Sequence, residues 1–386
     1  MTPRSGTLVI RWPFRGGWIL ATSARERVLL VGAGHPHLHV VTCAPALRAA
    51  GTDLIVLAPV DFHYSGLASA VAAGAQPPEA ARIDVAALCR RHGVEHRVGR
   101  FATIDPEQRT IGTEDGGTLG YDRVSFNLGS VVAPGGMRLD PDVPAVKPFE
   151  RLSVFVDRLD ELDTSATPRR PVRISIVGGG PSGLELAGQL AARLRTRGLI
   201  RLLERDERPG AGLPVGARRR SVRRLMERNV EIRVRSHVEQ VAADHLVVNG
   251  QRQDHDLAMV ATGLSAPPTV LEAGLGDARG IPVRATLQHV DHDEVYAVGD
   301  TAYFTPGPLP RLGVYGVRQG PVLVASLLAA RTGAPLPPFE PQREALRIVD
   351  LGAGRALAAR GRWWTEGRGS LLLKRRIDER WLARYR

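Results

Sequence analysis

Three glycines at fixed spacing carry the clearest chemical signal in the chain. Gly178, Gly180 and Gly183 lie in "VRISIVGGGPSGLELAGQLAARLRTRGLIRLLER", which reads strand, turn, helix, strand from Val172 onward. Such a turn aims backbone N–H groups at a helix N-terminus, where a pyrophosphate can bind. The first glycine permits the sharp turn, the second lets the pyrophosphate approach the backbone, and the third lets helix and strand pack closely. Glu204 ends the next apolar run. A carboxylate there can accept hydrogen bonds from a ribose and would repel a 2′-phosphate, although Arg205 beside it softens that repulsion.

A second, less complete turn comes first in the chain. Gly32 and Gly34 follow the apolar run Val28–Val31, but His37 stands where the third glycine would fall. His35 and His37 lie in the first helical turn, where an imidazole can donate to a phosphate or to a cofactor edge. His35 and His39 share a helix face at i, i+4, but no carboxylate or thiol completes a metal set, so no metal is expected. Two later segments add to this turn. "LAMVATG" ends at Gly263, and "EVYAVGDTA" ends a strand on Gly299 and Asp300. An aspartate at the carboxyl end of a parallel strand sits at the ligand edge of the sheet and can bind a sugar or ribityl hydroxyl.

These sites need strands and helices that alternate, and the chain supplies them. His35–Ala49 is predicted as a helix and Asp53–Leu57 as the next strand, giving a βαβ unit with a parallel sheet. The second copy begins a domain's length later, too far apart for a solenoid repeat. The fold class expected is α/β, with two Rossmann-like dinucleotide-binding domains. One is discontinuous, 25–150 and 262–330, and the other, 151–261, is inserted into it. Residues 331–386 follow a Pro-rich stretch as a small C-terminal segment, and 1–24 form a loosely ordered, acid-free extension.

Composition bounds the rest. The 386 residues are 43% hydrophobic and 24% charged, an ordinary globular balance. A net charge of +12 is compatible with an anionic surface or a phosphate ligand, but general enrichment in Arg accounts for it equally. No basic stripe with interleaved aromatics is present, so nucleic acid is not an expected partner. Cys43 and Cys89 form no redox-spaced pair, which excludes a disulfide framework and points to a reducing, cytoplasmic compartment. No apolar run is long enough to span a membrane.

Two glycine turns a domain apart, then ATG, then VYAVGD, resemble the pyridine nucleotide-disulfide oxidoreductase superfamily over about residues 27–330. "VGAGHPHLHV", "YSG" at 64–66, "VKP" at 146–148, "GVYGVRQGP" at 313–321, "PQREAL" at 341–346 and "LKRRIDERWLARY" at 373–385 narrow the likeness. They are similar to type II NADH:quinone dehydrogenases, and especially to the flavoprotein module found fused to selenide, water dikinase. In that subgroup the G-x-G-H-x-H form is the normal one, which makes His37 a variant of the motif. No residues remain for the dikinase itself.

The resemblance implies FAD at Gly32, Gly34, His35, His37, Tyr64, Ser65, Gly129, Gly263, Gly299 and Asp300, and NADH or NADPH at Gly178, Gly180, Gly183 and Glu204. It also implies that Glu185 and Lys147 stand near the reacting rings. A helix-terminal carboxylate and a plain surface lysine are the competing readings of those two. The quinone motif of the type II enzymes is only partly kept: Tyr315–Gly320 retains Gln319 but sets Arg318 beside it. The expected reaction passes electrons from NADH through flavin to a quinone-like acceptor without a redox disulfide. The alternative is a flavin-binding accessory protein of selenium or sulfur metabolism with little NADH turnover. Trp363, Trp364 and the basic, amphipathic C-terminus suit either an anionic membrane surface at the inner face of the cell membrane or a buried interface, including a homodimer. In the buried reading, Leu373, Ile377, Trp381 and Leu382 make the face that packs.

Overall fold

The computed structural model describes residues 25–147, 149 and 152–386; the extension over 1–24 lies outside the described residues. The chain opens with strand β1, Glu26–Val31, then helix α1, His35–Thr42, and strand β2, Thr52–Ala58. The helix is shorter than its sequence pattern suggested. It breaks at Cys43, and a separate short helix runs Ala44–Ala49. Helix α2, Ala68–Ala72, strand β3, Glu95–Val98, and strand β4, Arg123–Phe126, continue this first unit.

The chain then leaves the first sheet. Helix α3, Leu152–Ser165, leads to strand β5, Val172–Val177, helix α4, Pro181–Leu194, and strand β6, Gly198–Leu203. Helix α5, Val215–Met226, strand β7, Glu231–Arg233, and strand β8, Leu257–Val260, complete a second parallel sheet in the order β7-β6-β5-β8. Strand β9, Val295–Ala297, returns to the first sheet and pairs with β4. That sheet has the order β9-β4-β1-β2-β3, also all parallel. The first unit is therefore discontinuous in sequence, with the second inserted into it.

Both sheets share one strand order around their first strand. In each, that strand lies between the second strand and a later one, which puts a topological switch point at its carboxyl end. Val28 to Val31 and Ile174 to Val177 are buried on both sides, as parallel strands covered by helices must be.

Helix α6, Gly313–Thr332, lies against α1. Gly316 and Gly320 make that approach possible. A Cβ at 316 would sit 3.4 Å from the Pro36 ring, and one at 320 would sit 3.0 Å from His39 Cβ. Strands β10, Arg347–Asp350, β11, Ala356–Arg360, and β12, Trp363–Gly367, form an antiparallel meander that runs into helix α7, Arg368–Leu382.

This C-terminal segment bridges the two units. Gly188 of α4 meets the backbone of Leu351 and Gly352 with no room for a side chain on either glycine. Glu366 pairs with Arg220 and, at 2.8 Å, with Arg224 of α5. At the far end, Arg386 hydrogen-bonds backbone carbonyls at Ala80 and Arg82 in the first unit. The buried face of α7 differs from the one expected from the apolar residues alone. Leu371, Trp381 and Leu382 are buried, whereas Leu373 and Ile377 stay exposed beside Leu372. The buried stripe runs instead through Lys374 and Asp378, whose charges satisfy one another.

Candidate active site

The two glycine turns have the same local build. Gly32 and Gly178 take φ of +87° and +110°, which an L side chain adopts only under strain. A Cβ on either would overlap a backbone carbonyl at the end of a neighbouring strand, Asn127 O or Ala261 O. Gly34 and Gly180 then cap their helices in nearly identical extended conformations, φ/ψ −65°/176° and −66°/178°. Nothing stands within 4 Å of the position a Cβ would take on Gly180 or on Gly129, so both present bare backbone to open space. The helix N-terminus at Gly180 thus offers bare backbone to a pyrophosphate, whereas at Gly34 the Asn127 side chain stands where a Cβ would be.

The third positions show why one turn keeps glycine and the other does not. Gly183 lies directly against the Gly178 carbonyl oxygen. In the first turn the His37 imidazole makes that link, its Nδ1–H donating to Gly32 O at 2.6 Å. Nε2 then accepts from the Ser125 hydroxyl at 2.8 Å. Burial lowers the His37 pKa to about 4, so the ring is neutral. His37 has no nitrogen left for a phosphate, and it does not line the cleft. The phosphate-facing role expected for it is therefore corrected, because fastening α1 to the turn after β1 and to β4 uses both ring nitrogens.

Between the units lies a cleft of about 560 Å³. The first turn lines it with Gly32, Gly34 and His35, and Ser65, Gly129, Lys147, Glu185, Gly299 and Asp300 complete that set of expected residues. His35 packs on Trp381, ring centroids 4.5 Å apart, and edge-on against Phe62. Burial in that aromatic box lowers its pKa to about 4 against the pull of Asp300. Tyr64 also stacks on Trp381, ring centroids 4.5 Å apart.

Asp300 accepts from Lys147 Nζ at 2.9 Å and from Ser130 Oγ at 2.7 Å, both through Oδ2. Burial opposes ionisation of this carboxyl, but the Lys147 ammonium and those two hydrogen bonds outweigh it and hold the pKa below the usual range. Arg311 fixes the turn from behind, donating to the backbone oxygens of Asp300 and Leu264.

Other expected residues lie outside this cleft or face away from it. Gln319 is buried and its Oε1 accepts from the Gly299 N–H at 2.6 Å, so it holds the Gly-Asp turn. Glu204 accepts from the N–H groups of Gly179 and Asp206, placing its carboxylate at the second turn. Gly263 follows β8 and has open space about it. Asn127 is a residue that sequence reasoning missed. It sits at the carboxyl end of β4, between Gly34 and Gly299, with a buried Nδ2 that has no partner. Its signal was its place one residue beyond an apolar strand next to the switch point.

The residues fit a dinucleotide at each turn: a glycine turn at a helix N-terminus for each pyrophosphate, Asp300 for a ribityl or ribose hydroxyl, and an Asn127 amide nitrogen without a partner beside the first. Two such units, one lining the cleft with its glycine turn and the other reaching it through Ser182 and Glu185 of α4, define a flavin- and nicotinamide-dependent oxidoreductase. The sequence model of the pyridine nucleotide-disulphide oxidoreductases matches residues 26–320, and the chain belongs to that family. It is an FAD-dependent NAD(P)H oxidoreductase.

Among similar proteins, the demethylphylloquinone reductase NdbB of Synechocystis is 26% identical over 288 residues, 69% of each chain. The type II NADH:quinone oxidoreductase Ndh of Mycobacterium tuberculosis is 24% identical over 369 residues, 85% of this chain and 77% of its own. The solved structure of NDH2 from Plasmodium falciparum in complex with NADH superposes with a TM-score of 0.80 at 12% identity, covering 93% of this chain and 95% of that one.

Glu185 is the group with the most unusual setting. It enters from the first turns of α4, and its Oε1 is buried with no hydrogen-bond partner. Burial raises its pKa to about 7, and the Lys374 ammonium opposes that rise. Near neutral pH this carboxyl is therefore poised to give or take a proton.

Proposed function

We propose that this protein oxidises NADH and reduces a quinone, with Glu185 exchanging the proton that the acceptor requires. The observation that carries the reading is the buried Glu185 carboxyl oxygen, without a hydrogen-bond partner, on the wall of the cleft that the first glycine turn lines and that the start of α4 enters. The quinone reductases among its relatives support the acceptor class. The bound flavin would supply hydride and electron transfer. The chain's own residues do the rest. The glycine turns hold the two pyrophosphates, Asp300 with Lys147 holds the ribityl chain, and Glu204 binds the adenosine ribose and disfavours NADPH. His35 and Phe62 line the cleft, with Trp381 packed behind them, and exclude water from that wall.

No thiol takes part. Neither cysteine lines the cleft. Cys43 has its sulfur 3.8 Å from His39 Nε2, and burial pushes the Cys89 thiol up to about 11, where it is no nucleophile. The test is anaerobic stopped-flow on flavin-loaded protein. NADH should reduce the flavin faster than NADPH, and a short-chain quinone should reoxidise it equally well in a Cys43→Ser, Cys89→Ser double variant. Failure of every quinone overturns the acceptor. Loss of reoxidation in the cysteine-free variant overturns the thiol-free route.

The same reading puts the protein at a membrane surface, where quinones reside. Among the described residues no helix is long and apolar enough to cross a membrane. Trp363, 86% exposed, and Leu372, 63% exposed, stand with Leu373 and Ile377 on a segment rich in arginine. Vesicles containing anionic lipid should pull the protein down in sedimentation at low salt. Protein that stays in the supernatant, or that is found as a dimer burying the same residues, overturns this attachment.

A further inference from the structure

The buried face of α7 carries a lysine and an aspartate, which a helix docked only for packing does not need. Lys374 Nζ donates to Gly66 O at 2.7 Å and to Asp378 Oδ2 at 2.9 Å. Asp378 Oδ1 accepts from the Tyr64 hydroxyl at 2.8 Å. Glu185 Oε1 lies 3.9 Å from the same ammonium, beyond hydrogen-bond reach. All three side chains are close to buried, with 11–15% of each exposed.

Two carboxylates therefore share one ammonium in a setting that penalises net charge. Asp378 holds the hydrogen bond, and Glu185 has only the field of the lysine. With both acids ionised the cluster carries one excess negative charge. A proton on Glu185, the carboxyl with the poorer partner, removes it. The other groups facing Glu185 are the Ser69 hydroxyl of α2 and the Asp350 N–H at the end of β10, both of which favour its charged form, and the Asp350 carboxylate, which repels it.

We propose that Lys374 and Asp378 of α7 are positioning residues for Glu185: Asp378 draws the ammonium away from it, leaving the Glu185 carboxyl free to release and regain one proton at the cleft. This inference rests on the function proposed above. The balance of that reaction calls for such a group. NADH gives up two electrons and one proton as hydride, whereas a quinone becomes a quinol only with two protons. The second leaves the Glu185 carboxyl as its O–H bond breaks, and the resulting carboxylate regains a proton from water. The direction of the Glu185 pKa, raised by burial and restrained by Lys374, agrees with this geometry.

The test is the Glu185 titration in resting, flavin-loaded full-length protein, read from its infrared carboxyl band with Glu185→Gln as the blank. Lys374→Met removes the attracting charge and should move the titration to higher pH. Asp378→Asn leaves the ammonium to Glu185 alone and should move it to lower pH. Each displacement should be about one pH unit or more, as for a charge at this distance. Lys374→Arg should restore the parent value. A structural role alone would not produce opposite displacements. Should Lys374→Met fail to fold, the nearly isosteric Asp378→Asn decides alone. No displacement, or one toward higher pH, overturns the proposal. The measurement involves no acceptor, so the titration stands even if no quinone reoxidises the protein. Conversely, quinone turnover with an unmoved titration sinks this inference and leaves the function intact.

Discussion

Gly183→Val is expected to abolish flavin reduction by NADH at concentrations that saturate the parent, while the protein still purifies with its flavin. The reason is steric and local. Gly183 lies against the Gly178 carbonyl oxygen, and any Cβ there would overlap it. Helix α4 must then move away from β5, taking with it the backbone N–H groups at its N-terminus that would hold the nicotinamide pyrophosphate. The overpacking itself should destabilise the fold by about 1–3 kcal/mol. Each lost charge-assisted hydrogen bond weakens binding by about 1.5–3 kcal/mol, so two of them raise the Kd for NADH by more than a hundredfold. The first unit keeps its separate sheet and its own turn, so the flavin absorbance should persist. Titration of NADH by fluorescence, with the visible spectrum recorded alongside, checks both halves. A variant that binds NADH normally would show that the second turn is not the nicotinamide site.

Glu185→Gln is expected to slow quinone-dependent turnover by about 10²–10⁴-fold, the usual contribution of a general acid, while NADH still reduces the flavin at close to the parent rate. Glutamine keeps the shape and cannot release a proton. The parent should also show a pH dependence that the variant lacks. The Glu185 pKa is raised to about 7, so its protonated form fades as pH rises through neutrality, and acceptor reduction should fall with it. The stability linkage has the same sign. A carboxyl raised above its ordinary value of 4.5 contributes fully below that value and loses its contribution as pH rises toward 7. Glu185→Gln carries no such penalty, so above neutral pH it should melt no lower than the parent. Lower activity therefore cannot be ascribed to unfolding. Stopped-flow of both half-reactions across pH 5–9, with thermal melts at each pH, provides the check. Unchanged turnover in Glu185→Gln would remove Glu185 from the reaction.

The amino-acid sequence by itself determines the two mononucleotide units. Their signals are short-range: an apolar strand, glycines at fixed spacing, an amphipathic helix, and Asp300 at the end of a later strand. Those features depend on backbone conformation and local burial, which a few consecutive residues decide. His37 shows the limit of that legibility. Its spacing points to the ligand, yet the hydroxyl that takes its second nitrogen comes from Ser125 on β4, a contact between residues distant in sequence. Gln319 differs for the same reason, since the Gly299 N–H it binds lies on another element.

The C-terminal helix shows the limit most fully. Its apolar periodicity marks Leu373 and Ile377 as buried, and they are exposed, because the packed stripe is chosen by the neighbours available. Tyr64, Gly66 and Glu185 come from both units, and together they make a buried place for Lys374 and Asp378 that no local pattern encodes. Only the tertiary structure decides which charges meet, since burial and distance govern whether a carboxyl near a lysine keeps its proton.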